Sequence, residues 1–158
     1  MSSTSSRNSS PDDISADSRW RVDLDTYLSS VKGVAVAKID LLQPPQLDPV
    51  SHQLQLVHRD LLQVVRQLAK KPYIDSNRVA LWGEGYGGWL VGHILADDKE
   101  EVVKCGVAAS PITQWRLYNS FVAERYLGSP EPEENYAQYH KADLTVRSIL
   151  DWKILLKN

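Results

Sequence analysis

The sequence predicts an α/β protein with an incomplete, mostly parallel sheet and helices on both faces. Short apolar runs at 33–39, 79–82 and 105–109 alternate with segments whose apolar residues have helical spacing. The resulting order of strand, helix, strand, helix, strand suits the right-handed crossovers of a parallel sheet. A chain of 158 residues with 42% hydrophobic content is sufficient for one domain with a single core.

Composition excludes several classes of function. The formal net charge of -2 and the pI of about 6.1 give no basic surface for nucleic acid or for an anionic membrane. No apolar run reaches the roughly 18 residues of a membrane span, and the N-terminus lacks the apolar core of a signal peptide. We therefore expect this chain alone to be soluble and cytoplasmic. The single cysteine, Cys105, excludes an internal disulfide, and no cofactor or metal is indicated.

The first half of the chain divides at about residue 18. Residues 1–18 are rich in serine without apolar periodicity, so we predict a disordered tail followed by a domain over 19–158. Within the domain, residues 20–30 indicate a short helix and residues 33–39, GVAVAKI, a buried strand. Residues 41–53 carry three prolines and are predicted to form a loop.

A long amphipathic helix is predicted from residue 54 to a point before Pro72. Its polar side includes His58 on this assignment, and residues 72–77 have the composition of a turn. Further helices are expected at 115–126 and 135–148, and a strand begins at 152. The helix from residue 54 is indicated by the apolar residues Leu54, Val57, Leu61, Val64, Val65 and Leu68.

Residues 79–95, VALWGEGYGGWLVGHIL, predict a strand, a tight glycine turn and a helix. In the nucleophile elbow G-x-S-x-G, the central residue is lifted above the sheet, and here that position holds Gly85. In the dinucleotide motif G-x-G-x-x-G, which Gly83, Gly85 and Gly88 satisfy, the glycines admit a pyrophosphate. That site also needs an acidic residue about 20 positions further on, but the next apolar run ends in Ser110 and Pro111. A third interpretation is that the glycines only allow close strand-to-helix packing.

Three ordered motifs extend the comparison: KPYIDSNRVALWGEGYGG, KCGVAASPIT and WRLYNSFVAERYLGSPEPEENY. With these motifs, residues 20–156 resemble the catalytic domain of the prolyl oligopeptidase family, in its dipeptidyl peptidase IV branch. Within that branch the chain is most similar to the non-enzymatic dipeptidyl-peptidase-like members, which lack the elbow serine and serve as auxiliary subunits of voltage-gated potassium channels. The resemblance implies a partial α/β-hydrolase fold.

The resemblance also implies roles for individual residues. Gly85 occupies the position of the nucleophilic serine, and Tyr86 follows on the side of the oxyanion hole. Trp115 and Tyr118 match aromatic positions near the proline-binding pocket, where core packing is the other interpretation. Val122 stands where active relatives carry a second tyrosine, so a complete pocket is not expected.

Other positions depart from the family pattern. After Asp40 the family has a glycine-rich segment, whereas this chain continues Leu-Leu-Gln-Pro-Pro. The resemblance implies that the triad aspartate and histidine would follow residue 158, and that a propeller and a membrane anchor belong to the full-length parent. Glu124-Arg125 resembles a family element but also suits a pair on a helix surface. None of the histidines stands at the triad position; they are His52, His58, His93 and His140.

The function expected from these residues is that of a catalytically inactive peptidase homologue. Its parent would be a binding or auxiliary subunit of a voltage-gated potassium channel at the plasma membrane, with an extracellular domain; homodimerisation stays open. Two alternatives remain, namely residual serine-type hydrolysis with water activated by Glu84, and dinucleotide binding at the glycine turn. Glycine has no atom that can attack a carbonyl, which favours the first hypothesis.

Overall fold

The computed structural model describes residues 2–5, 22–39, 51–131, 133–144 and 154–157. Two 3₁₀ turns at Ser76–Arg78 and Trp115–Leu117 accompany the main elements. The described strands and helices are β1 Ser2–Ser5, α1 Leu24–Ser30, β2 Ala37–Lys38, α2 Ser51–Ala69, β3 Ala80–Glu84, α3 Tyr86–Asp97, β4 Cys105–Ala109, α4 Ser120–Leu127, α5 Glu133–Ala142 and β5 Ile154–Lys157.

The strands form one sheet in the order β2-β1-β3-β4-β5, and every neighbouring pair is parallel. In the centre, Ala80 pairs with Cys105 and Glu84 with Ala109, so β3 and β4 end at the same edge. The parallel α/β class predicted from the sequence is therefore confirmed. The strand expected near the end of the chain is also present as β5.

Helix α3 covers one face of the central strands. Leu81, Gly83, Gly106 and Ala108 alternate along β3 and β4 and are all buried. A Cβ added at Gly106 would lie 2.4 Å from a methyl carbon of Leu95 on α3, so glycine lets the helix approach. Trp82 and Val107, which have the opposite parity, are only half-buried.

Helix α2 packs against α3 and confirms the predicted apolar stripe. Leu61, Leu62 and Val65 are buried in the same core as α3, whereas Val64 is 36% exposed. The helix begins at Ser51 rather than at residue 54, so residues 51–53 belong to the helix and not to the predicted loop. The rest of that loop, 41–50, lies outside the described residues. No helix in the described part of the chain is long and apolar enough to cross a membrane.

The first strand differs from the prediction of a disordered tail over 1–18. Ser2–Ser5 forms β1, which pairs with β2 on one side and with β3 on the other. Strand pairing joins backbone amides and carbonyls, so a segment without apolar side chains can fill this position. The prediction was wrong here because it considered only apolar periodicity. Residues 6–18 lie outside the described residues.

Two further predicted elements need correction. The buried strand expected at 33–39 is reduced to Ala37–Lys38, and none of residues 33–39 is fully buried. The single helix expected at 115–126 is divided, because Asn119 adopts a non-helical backbone and its side chain caps α4 by accepting from the Phe121 N–H. Helix α5 begins slightly earlier than predicted and ends at Ala142; residues 145–148 lie outside the described residues.

Helix α5 is attached to the end of α4 through a tyrosine, and this contact carries a prediction. The Tyr139 hydroxyl donates to the Gly128 carbonyl oxygen over 2.6 Å. Burial raises the pKa of Tyr139, and the charge of Glu124 raises it further. Because the folded state favours the neutral phenol, its contribution is complete below pH 10 and decreases as the pH rises through the folded-state pKa.

We therefore expect Tyr139→Phe to lower the free energy of unfolding by about 1 kcal/mol at neutral pH. Urea unfolding monitored by circular dichroism measures this change. Tyr73→Phe is the matched control, since Tyr73 is 74% exposed, and it should change stability by less than about 0.5 kcal/mol. Equal stability of the two variants would show that the Tyr139 hydrogen bond contributes nothing.

Candidate functional site

The site is built on the turn that joins β3 to α3. Gly85 has φ 56° and ψ -114°, a left-handed backbone that side chains rarely adopt. Its N–H donates to the Ala109 carbonyl over 3.0 Å, while its own carbonyl accepts from the N–H groups of Trp89 and Ile112 over 3.1 and 3.4 Å. The turn is thus tethered to the end of β4 and to the helix that follows.

The glycines around the turn have different physical tasks. A Cβ at Gly83 would lie 2.3 Å from the carbonyl oxygen of Gly87, and one at Gly88 would lie 3.1 Å from Pro111. These two positions therefore permit close strand-to-helix packing, as the third interpretation of the sequence proposed. By contrast, a Cβ at Gly85 would meet nothing within 4 Å. Space for a side chain exists above the turn, but glycine leaves it without one.

The groups beside Gly85 determine which chemistry the turn offers. Tyr86 begins α3, so its backbone N–H belongs to the first-turn donors that have no acceptor within the helix. Such a donor can face an anion or a carbonyl oxygen. Glu84 is the last residue of β3, and it is exposed. The turn consequently presents a backbone donor and a solvated carboxylate, with no nucleophilic atom at position 85.

An aromatic cluster, formed by Tyr86, Trp89, Trp115, Tyr118 and Tyr126, lies behind the turn. The Tyr86 ring stacks on Trp89 and on Tyr126, with centroid distances of 5.4 and 5.3 Å. Trp115 meets Tyr86 and Trp89 edge-on at 6.2 and 5.6 Å. Aromatic pairs in this geometry stabilise a core beyond their buried area. The cluster thereby links the start of α3 to the segment after β4.

The two predicted pocket residues have different environments within the aromatic cluster. Trp115 is 0% exposed, and its backbone N–H donates to the Asp143 carboxylate over 2.9 Å. The indole Nε1 of Trp115 is buried and has no hydrogen-bond partner among the described residues. Tyr118 lies 6.4 Å from Trp115 and is 44% exposed. Trp115 therefore belongs to the core, while Tyr118 is accessible to a ligand.

His58 was placed wrongly by the sequence analysis. It is 2% exposed, not solvated, and its Nε2 lies 2.5 Å from the carboxylate of Asp97. The signal was present in the sequence, because His58 precedes Leu61 and Val65 by three and seven positions and so shares their helix face. The sequence analysis had treated histidine as a polar residue and had therefore placed His58 on the polar side of the helix despite its spacing.

The remaining singled-out residues have other environments. His93 is buried on α3, where its Nε2 lies 3.2 Å from the Ala142 carbonyl. Glu124, Arg125 and His140 are exposed, in agreement with helix-surface positions. Asp40 and the side chain of His52 lie outside the described residues. Among the described residues, no group of three or more potential metal ligands forms a metal site.

A parallel α/β sheet with a strained strand-to-helix turn at the end of a central strand is characteristic of the α/β-hydrolase class of proteins. The sequence profile of the prolyl oligopeptidase family matches residues 54–148, more than half of the chain. The chain therefore belongs to the prolyl oligopeptidase family. The dinucleotide alternative for Gly83, Gly85 and Gly88 stays a prediction.

Individual relatives are dipeptidyl peptidases. The chain is 32% identical over 139 residues to dipeptidyl peptidase 4 of Bos taurus, and the aligned segment covers 84% of this chain and 18% of that protein. Venom dipeptidyl peptidase 4 of Apis mellifera is 42% identical over 89 residues, 56% of this chain and 12% of that protein. The chain thus spans less than a fifth of the length of these relatives.

A solved structure confirms the fold. Dipeptidyl peptidase 4 of Porphyromonas gingivalis superimposes with a TM-score of 0.74 over 98% of this chain and 22% of that chain, at 24% identity. A dipeptidyl aminopeptidase IV-like structure from Bacteroides ovatus superimposes with a TM-score of 0.56 over 68% of this chain and 15% of that chain, at 26% identity. The α/β-hydrolase fold expected from the motifs is therefore established.

Proposed function

We propose that this chain is a catalytically inactive member of the prolyl oligopeptidase family and that it acts by binding. The observation that supports this proposal is Gly85 at the tip of the elbow. Covalent peptide hydrolysis requires an attacking oxygen, which serine supplies and glycine does not. The strained turn and its tether to Ala109 persist, so the scaffold is retained without the reacting atom.

The environment of Glu84 argues in the same direction. A carboxylate that activates water needs a shielded site and a pKa that is raised from its ordinary value towards neutrality. Glu84 is exposed at the sheet edge, where water competes for every hydrogen bond it makes. Residual hydrolysis through this residue is therefore the weaker alternative. Turnover of an Xaa-Pro-coupled dye that disappears in Glu84→Gln would favour it over the inactive function.

The finer proposal concerns the partner. The dipeptidyl-peptidase-like members that these motifs resemble also lack the elbow serine, and they associate with voltage-gated potassium channels. We propose the same role for the full-length parent of this chain, with this domain outside the cell at the plasma membrane. Co-expression of the parent with a voltage-gated potassium channel tests the role, and altered channel gating kinetics are expected. Unchanged currents and no co-purification would contradict it.

The inactive state itself is tested by chemical labelling. A fluorophosphonate probe reacts with an activated serine, so the purified chain should show no labelling above a heat-denatured sample. Hydrolysis of an Xaa-Pro-coupled dye should likewise equal the rate in buffer. Stoichiometric labelling that maps to residues 83–88 would overturn the proposal, because it would reveal a nucleophile at the elbow.

Restoring a hydroxyl at the elbow should not restore catalysis. Gly85→Ser has steric room, since nothing lies within 4 Å of the added Cβ, but a serine without a general base remains protonated and weakly nucleophilic. His93 is not expected to act as this base, because it is 2% exposed, its Nε2 faces the Ala142 carbonyl and its Nδ1 is buried. We expect dye hydrolysis by the variant to remain at the background rate.

The control for this variant is Gly33→Ser. Gly33 also has a positive φ, 62°, and a Cβ there would also meet nothing within 4 Å. Both substitutions should destabilise by about 1–2 kcal/mol through left-handed backbone strain alone. Turnover by Gly85→Ser but not by Gly33→Ser would show that a histidine reaches the elbow.

A further inference from the structure

Two buried histidines meet where α2, α3 and the end of α5 come together. His58 on α2 and His93 on α3 are each 2% exposed, and their ring centroids are 5.5 Å apart. His58 faces the carboxylate of Asp97, the last residue of α3. His93 faces the carbonyl oxygen of Ala142, the last residue of α5. His58 therefore joins α2 to the end of α3, and His93 joins α3 to the end of α5.

The partners determine where the ring protons lie. A carbonyl oxygen can only accept, so the Nε2 of His93 must carry the hydrogen that it donates to Ala142. An ionised carboxylate also only accepts, so the Nε2 of His58 donates to Asp97. The Nδ1 atoms of both rings are buried as well. A second proton on either ring would thus add charge in a region that water does not reach.

One of the two rings can hold that charge more readily than the other. His58 lies 2.5 Å from the Asp97 carboxylate, so an imidazolium there forms an ion pair. A charge on His93 would then lie about 5.5 Å from the first, and like charges at this separation repel strongly in a buried environment. We propose that His58, His93 and Asp97 form an acid-sensitive latch, here called the acid latch, that holds α2 and the end of α5 against α3.

Other charged groups lie on the elements that meet at the acid latch. Asp98, which follows Asp97, is buried; it accepts the Val103 N–H and lies 4.0 Å from Arg66 of α2. On α2, Arg59 and Asp60 adjoin His58 but are exposed, and on α5 both His140 and Lys141 are exposed. After α5, Asp143 is buried, and its Oδ1 accepts the backbone N–H of Trp115.

One helix end opposes the acid sensitivity of the latch. The C-terminus of α5, with its partial negative charge, favours a cation at His93. The mutual repulsion of the two rings acts against that cation. The acid latch requires that this repulsion outweighs the effect of the helix end.

The sign of the pH dependence follows from proton binding. If the folded chain takes up the second proton less readily than the unfolded chain does, folding stability falls as the pH decreases. Imidazoles in an unfolded chain titrate near pH 6.5, so the loss begins near that value and grows towards pH 5. The folded structure would therefore loosen under mild acid at this junction.

The acid latch would also affect the candidate site. The Ala142 carbonyl accepts from both His93 and the indole Nε1 of Trp89, the latter over 2.7 Å. The Trp89 ring stacks on Tyr86, which begins α3 directly after Gly85. Movement of the α5 end away from α3 would release Trp89 from one side of the aromatic cluster. Acid would thus change the environment beside the elbow without any titrating group at the elbow.

The test is a pH titration of the 158-residue chain by nitrogen-15 NMR of its four histidine rings, assigned with single His→Gln variants. We expect one ring of the buried pair to titrate at least about one pH unit below an ordinary imidazole. That shift corresponds to a tenfold weaker proton affinity. At pH 8, the neutral His93 ring should show the tautomer with hydrogen on Nε2.

A second measurement does not depend on resolving individual rings. Acid-induced change in tryptophan fluorescence should move to lower pH in His93→Gln, because the amide cannot take up a proton, while His140→Gln should leave the midpoint unchanged. Two outcomes would overturn the acid latch. One is that all four histidines titrate together, and the other is that both single variants leave the fluorescence midpoint unchanged.

Discussion

Gly83→Ala is expected to abolish the cooperative unfolding transition of this chain or to lower its stability by at least about 3 kcal/mol. The added Cβ would lie 2.3 Å from the carbonyl oxygen and 2.4 Å from the carbonyl carbon of Gly87. These are backbone atoms in the first turn of α3, so no side-chain rotation can relieve the contact. The helix would have to move away from the sheet, and the buried residues of α3 would lose their packing.

Two other glycines serve as graded controls for this result. A Cβ at Gly106 would also approach to 2.4 Å, but its neighbour is the flexible side chain of Leu95, so Gly106→Ala should cost about 1–3 kcal/mol. Gly33→Ala should cost only the left-handed backbone strain. Urea midpoints of the variants measure the order. A Gly83→Ala protein as stable as Gly33→Ala would show that α3 does not pack as described.

Trp89→Ala is expected to destabilise the chain by about 3–5 kcal/mol, because it removes a large side chain that is 1% exposed. The substitution also leaves the Ala142 carbonyl without its indole donor. Chemical denaturation monitored by far-ultraviolet circular dichroism measures the loss. A variant destabilised by less than about 1 kcal/mol would contradict the central place of Trp89 in the core.

Two comparisons separate the causes. Trp89→Phe retains most of the ring volume but removes the N–H donor. It should cost about 0.5–1.5 kcal/mol, the range for one lost hydrogen bond, because His93 still donates to the Ala142 carbonyl. Phe121→Ala removes an aromatic ring that is 76% exposed and should change stability by less than about 0.5 kcal/mol. Together the three variants separate the effect of lost side-chain volume on stability from that of the lost hydrogen bond and from that of removing an exposed aromatic ring.

The sequence predicted those elements whose apolar pattern is continuous. β4 was predicted at 105–109 and lies at those residues, because an apolar run of this length suits a buried strand and is shorter than a typical helix. The buried face of α2 was predicted from its apolar residues, which recur at helical spacing. Prediction failed for β1, where Ser2–Ser5 has no pattern and pairing depends on its neighbours in the sheet. Tertiary context of that kind is absent from local periodicity.

The candidate site was predictable only in part. The position of Gly85 follows from the motif, since a strand followed by closely spaced glycines and an apolar helix defines the turn. The burial of Trp115 beside Tyr86 did not follow, because it depends on contact between α3 and the segment after β4. The pairing of His58 with Asp97 joins two helices for the same reason, and no local spacing could have revealed the partner.

Strand β1 has a consequence for how the chain acquires its structure. Ser2 pairs with Ala37 on one side and with Leu81 on the other, so β1 can complete both pairings only when β2 and β3 are present. Such non-local pairing raises contact order and slows folding, because the chain loses entropy on closing a loop before the stabilising contacts form. We therefore expect the insertion of β1 between β2 and β3 to be a late step in the assembly of this sheet.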